Sequence, residues 1–146
     1  MEEMGKRSTK KYNKNEVKKR AEELDRIYAQ KQGWDPKDVS TDKKWIGVDN
    51  IYYKNKERKI IVKIVEVKGR GPIAGPHLLY GARNVKGYKL YSADLYELHM
   101  ISGINFPPPR LTIYSKEEVE KRGYEETHMV IKTNKKDYDE GIILNS

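Results

Sequence analysis

Asp49, Glu66 and Lys68 are the residues whose types and spacing suit chemistry. Two carboxylates can hold a hard divalent cation such as Mg²⁺ or Mn²⁺, with water filling the rest of its shell, and the backbone carbonyl of Val67 can add a further oxygen. Such an ion lowers the pKa of a bound water and offsets negative charge developing on a phosphoryl group. Lys68 falls one strand period after Glu66, on the same face, where its ammonium can orient that water or balance the charge. An acid, then Glu-x-Lys on the next strand, is an arrangement fitted to phosphodiester hydrolysis.

The triplet alone carries little weight, because Glu16-Val17-Lys18 repeats its letters. Those residues fall in a helical pattern, where positions two apart do not face each other. Glu66-Val67-Lys68 instead closes the longest β-branched run of the chain, Lys59 to Gly71. In an extended chain Ile60, Val62, Ile64, Glu66 and Lys68 share one face, while Ile61, Val65 and Val67, interrupted by Lys63, share the other. Apolar residues on both faces mark a central strand, and charges at its end cost desolvation energy unless they are paired.

The surrounding elements follow from periodicity. Val17, Ala21, Leu24 and Tyr28 recur at helical spacing over Asn15 to Gln32, with Asn13 or Asn15 as cap and Gly33 as terminator. Trp34-Asp35-Pro36 breaks that helix. Trp45 to Tyr53 reads as a strand, Lys54 to Arg58 as a turn and Lys59 to Lys68 as its antiparallel partner, so Asp49 can meet Glu66 if the register permits. Arg70 to Gly87 reads as a long irregular loop with a short strand at His77 to Tyr80. A strand at Tyr88 to Tyr91, a helix over Ala93 to Ser102 capped by Ser92, a strand at Leu111 to Tyr114 and a short helix from Ser115 to Gly123 follow. A last strand covers His128 to Lys132, and Ile142-Ile143-Leu144 is expected to dock back. The fold class is therefore α/β or α+β with a mixed central sheet flanked by helices. Residues 1–14 form a basic arm and 15–146 one domain.

Composition narrows the functions. With no cysteine, thiol catalysis, thiolate metal sites and disulfides are excluded, and the three histidines lack ligand spacing. No apolar run approaches a membrane span and the N-terminus is polar, which points to a soluble, cytoplasmic protein. A net charge of +8 favours a polyanionic partner. Lys10, Lys11, Arg70, His77, Arg83 and Lys86 are the candidate phosphate contacts, although a solubilising tail suits the arm lysines equally and an ordinary loop histidine suits His77 better. Glu23 is a candidate extra acid beside the metal, or simply a solvated helix residue. His99 and His128 read as partly buried residues on a helix and a strand, and most of the eleven tyrosines as packing residues.

Gly47-Val48-Asp49, a polar turn, an Ile-rich strand and Glu66-Val67-Lys68-Gly69 together resemble the PD-(D/E)XK restriction-endonuclease-like superfamily. More narrowly, the segment from Glu22 through Asp38-Val39-Ser40 to Gly69 is similar to the domain at the C-terminus of the plant protein NO VEIN and in many prokaryotic proteins. Further on, Leu90-Tyr91-Ser92 and the next helix, with Tyr96 as its aromatic residue, match only loosely, and the 70–87 loop is longer than the pattern. The resemblance implies a nuclease-type core, a divalent metal at Asp49 and Glu66, a DNA substrate and, in many enzymes of this fold, a homodimer. Two functions follow: a metal-dependent deoxyribonuclease, or a non-catalytic basic module on the same fold that binds nucleic acid or a nucleic-acid-handling partner such as a polymerase. A structural ion-pair cluster is the plain alternative for the three site residues.

Overall fold

The computed structural model describes residues 11–37, 49–73, 78–79, 93–122 and 131–144. Helix α1 spans Lys14–Lys31. Asn13 starts it with a capping box: its side chain accepts from the Glu16 amide and Glu16 accepts from the Asn13 amide, both at 2.9 Å. Gly33, at φ +87°, ends it in the left-handed region.

Strand β1 (Asp35–Lys37) follows directly, where the sequence reads as a break. It is an edge strand, the one place in a sheet that tolerates Pro36. Strands β2 (Asn50–Lys56) and β3 (Lys59–Gly69) make the expected antiparallel hairpin, with Asn50 opposite Val65 and Lys56 opposite Lys59. The turn is shorter than the sequence suggests: only Glu57 and Arg58 lie in it, at φ 51° and 68°.

The largest departure is at residues 95–102, expected as helix but folded as strand β5 (Leu95–Ser102), parallel to β3. Tyr96, Leu98 and Met100 face one side and Glu97, His99 and Ile101 the other, so the polar pair hides the alternation that would have marked a strand. Asp94 fixes the start, accepting from the Val62 amide through its side chain and donating its own amide to the Val62 carbonyl, both at 2.9 Å.

Strand β4 (Leu78–Leu79) pairs with β7 (Ile131–Lys132) in a separate two-stranded sheet. Strand β6 (Arg110–Ser115) leads into helix α2 (Lys116–Arg122), whose Glu118 amide donates to the Ser115 hydroxyl at 3.1 Å. Helix α3 (Lys135–Asp139), not foreseen, has an Asn134–Asp137 capping box. Strand β8 (Ile142–Ile143) docks the tail on β6, as expected. The main sheet runs β1-β2-β3-β5-β6-β8 and is mixed, so the molecule is α+β.

Each face of this sheet carries its own core. Ile51, Ile64, Leu98, Met100 and Tyr114 pack with Val119 of α2, Ile131 and Tyr138 of α3. On the opposite face Tyr52, Val65, Val67, Ile101 and Leu111 lie under Val17, Ala21, Leu24 and Ala29 of α1, with Trp34 and Leu144. Strand β3 is thus covered on both sides, as its composition requires. Among the described residues, no helix is long and apolar enough to cross a membrane.

Candidate active site

Helix α1 and the end of β3 approach each other at Gly69. A Cβ there would lie 2.8 Å from that of Ala21 and 3.1 Å from the Val17 carbonyl oxygen, so only glycine fits. The close approach brings the flank of α1 over the strand end where the charged residues lie.

The hairpin does bring Asp49 to Glu66. Strand β2 pairs only as far as Asn50, opposite Val65, whereas β3 continues to Gly69. Asp49 extends the ladder with its side chain, Oδ2 accepting from the Val67 amide at 2.8 Å. Burial, and then the neighbouring Glu66 carboxylate, push the Asp49 carboxyl up to about 7. The Val67 N–H opposes that shift, and the charge of Glu22 adds to it. Glu22, on α1, is itself raised, by burial first, against the lowering influence of Lys18 and Arg26; its carboxyl meets Asp49 through a hydrogen bond. On the other side of Glu66, the Lys68 ammonium sits 3.1 Å from Oε1, the same-face contact that a two-residue strand spacing predicts.

These groups border a cleft of about 560 Å³. Asp49, Glu66 and Val67 line it together with the cations Lys14, Lys18, Lys68 and Arg70, and Tyr12 and Asn105 border it as well. Arg70 is half-buried, which depresses its pKa, and its guanidinium donates to the Gly69 carbonyl at 2.9 Å. Asn105 grips the chain before α1, accepting from the Tyr12 amide at 2.6 Å and donating to the Tyr12 carbonyl at 3.3 Å.

Of the expected phosphate contacts, Arg70 lines the cleft. Lys11 donates to the Asn105 carbonyl at 3.3 Å and lies 3.5 Å over the Phe106 ring. Lys10, His77, Arg83 and Lys86 lie outside the described residues. Glu23 is the solvated helix residue of its two readings: it is exposed and pairs with Arg20 at 3.0 Å, and the helix acid turned toward the site is its neighbour Glu22. Glu22 follows Ala21 on the flank of the apolar stripe, a position whose facing partner sequence spacing does not identify.

Asp49 and Glu66 offer hard carboxylate oxygens, a donor set that fits Mg²⁺ or Mn²⁺. Among the described residues, no three carboxylate or imidazole groups converge as a closed metal cage does. A cation held here would therefore take few protein oxygens and complete its shell with water, the habit of Mg²⁺.

A second polar group, missed in the sequence, is buried between α1 and the sheet. Asp25, fully buried, accepts from the Tyr52 hydroxyl and from His99 Nδ1. His99 Nε2 donates to Glu97 at 2.8 Å, and Glu97 pairs with Lys63 at 3.4 Å. Burial alone would lower the His99 pKa, but Asp25 and then Glu97 outweigh it and raise it to about 9. His99 is therefore an imidazolium in the core of a strand, neither partly buried nor helical as expected. Asn50 joins this group to the first, its side-chain amide donating to Asp25 Oδ2 at 3.1 Å, the Tyr52 oxygen at 2.9 Å and the Glu22 carbonyl at 3.2 Å.

Comparison with family models, with curated proteins and with solved structures finds no match to this chain.

Proposed function

We propose that this protein is a Mg²⁺- or Mn²⁺-dependent nuclease that hydrolyses phosphodiester bonds in nucleic acid, DNA first among them. The observation that carries the proposal is the meeting of Asp49 with Glu66 in a cleft whose other charged residues are cations. The sequence resemblance to the PD-(D/E)XK superfamily supports the same reading. When bound, a divalent ion would supply Lewis acidity and an acidified water. The chain's own residues do the rest. Asp49 and Glu66 gather the negative charge that attracts the ion, and Val67 orients Asp49 through its amide. Lys68, held on Glu66, stands where it can move onto a phosphoryl oxygen. Lys14, Lys18 and Arg70 offer positive charge to the phosphodiester backbone.

Purified protein with Mn²⁺ is expected to nick or degrade DNA, and Glu66→Ala to lower the rate at least a hundredfold while EDTA stops it. Equal rates in wild type and variant would sink the proposal. A second reading, a non-catalytic nucleic-acid-binding module, is favoured by the Lys68–Glu66 ion pair, which satisfies the buried carboxylate without any metal. It predicts salt-sensitive binding that persists in EDTA, with no cleavage.

A further inference from the structure

Asn50 is 3% exposed, and its side chain is fully engaged by one turn of α1 and the floor beneath it. Its amide donates to the Glu22 carbonyl at 3.2 Å and to Asp25 Oδ2 at 3.1 Å, while its oxygen accepts from the Arg26 guanidinium at 3.2 Å. The turn of helix it holds, residues 22–26, is the one that carries Glu22 to Asp49. Asp49 is the residue immediately before Asn50. No backbone ladder ties Asp49 to β3, since register pairing begins at Asn50 and Asp49 reaches Val67 only through its side chain.

We infer that Asn50 is the positioning residue of the cleft: by fastening α1 to the first residue of β2 it fixes Glu22, Asp49 and the Val67 amide in register with Glu66. The inference rests on the proposed reading of the cleft for its purpose, but its geometry can be tested without metal. Buried amides with every group engaged act in this way because any shift leaves several polar atoms unpaired at once. Ligands of a metal are held likewise by the partners behind them. Asp25 keeps the Tyr52 hydroxyl and His99 when Asn50 is removed, so the loss is local to the 22–26 turn.

The test compares Asn50→Ala with Tyr52→Phe, which removes the hydroxyl that donates to Asp25 and accepts from Asn50 but leaves Asn50 its bonds to the Glu22 carbonyl, Asp25 and Arg26. Amide hydrogen exchange followed by NMR, without metal, should show the Val67 N–H exchanging at least tenfold faster in N50A than in wild type. The Val65 N–H should be unchanged, and Y52F should leave both within about twofold. Mn²⁺ affinity should fall at least tenfold in N50A and stay within about twofold in Y52F. If the Val67 amide is unmoved in N50A, or moves equally in Y52F, the positioning role is overturned. Wild-type protein that binds no Mn²⁺ would overturn the nuclease reading alone, leaving the exchange result to decide the role of Asn50. Should N50A not fold, wild-type exchange in mild denaturant serves instead. The Asn50 side-chain amide and the Val67 N–H must then open with one common free energy, and separate openings would overturn the inference.

Discussion

Asp49 meets opposed demands. Its Oδ2 must accept from the Val67 amide, yet its charge stands beside that of Glu66 in a half-buried place. Asp49→Asn keeps the acceptor and removes the repulsion. The metal-free variant at pH 8 is expected to melt roughly 2–5 °C above wild type, while losing Mn²⁺-dependent cleavage. A lower melting temperature in EDTA would show that the carboxylates do not strain each other. His99 behaves in the contrary sense. Its folded pKa of about 9 lies above the ordinary 6.5, so its proton stabilises the fold. That contribution is whole below about pH 6.5 and disappears as pH rises through 9, on the order of 3 kcal/mol across the window. Urea unfolding at pH 6, 8 and 10 should show wild type losing stability at the alkaline end, and His99→Gln should flatten the loss. The Asp49–Glu66–Lys68 set is legible in the sequence because one hairpin contains it. The Asp25–His99 pair is not, because its members are 74 residues apart and meet only when the sheet forms.

At the scale of elements, the contact between α1 and β3 is set by a missing side chain. Gly69→Ala would drive a methyl group into Ala21 and the Val17 carbonyl, so α1 must lift. The expected cost is about 1–3 kcal/mol, measurable as a lower urea midpoint with unchanged slope. The lift should also weaken Mn²⁺ binding, because Glu22 travels with the helix. A midpoint equal to wild type would mean that α1 yields freely. The hairpin and α1 are legible from periodicity and caps. Strand β5 is not: Glu97 and His99 occupy its α1-facing side as a charged group, so a buried strand carries the polar residues of an exposed helix. Its partner β3 supplies the missing information through parallel pairing, a contact no local pattern encodes.

For the whole molecule, two cores on one sheet make the last residues structural. Tyr138 belongs to one core and Leu144 to the other, and the Leu144 amide donates to the Pro109 carbonyl at 2.9 Å. Ending the chain after Thr133 removes an anchor from each face, at about 2–3 kcal/mol apiece, and thermal melting should fall by 10 °C or more. Full retention of the wild-type transition would show that the sheet closes without its tail. The α+β class is legible from the order of elements, but the division into two cores is not, because it depends on which strand lies in the middle. The opposite end of β3 from the cleft offers something separate. Eleven residues at about 3.3 Å each place the Glu57-Arg58 turn about 36 Å from Gly69. Both turn residues hold positive φ with bulky side chains, a conformation Asn-Gly adopts without strain. Glu57→Asn with Arg58→Gly should add about 1–2 kcal/mol of stability. That reserve, installed where it leaves the cleft untouched, would let the destabilised variants above be purified and assayed as folded proteins.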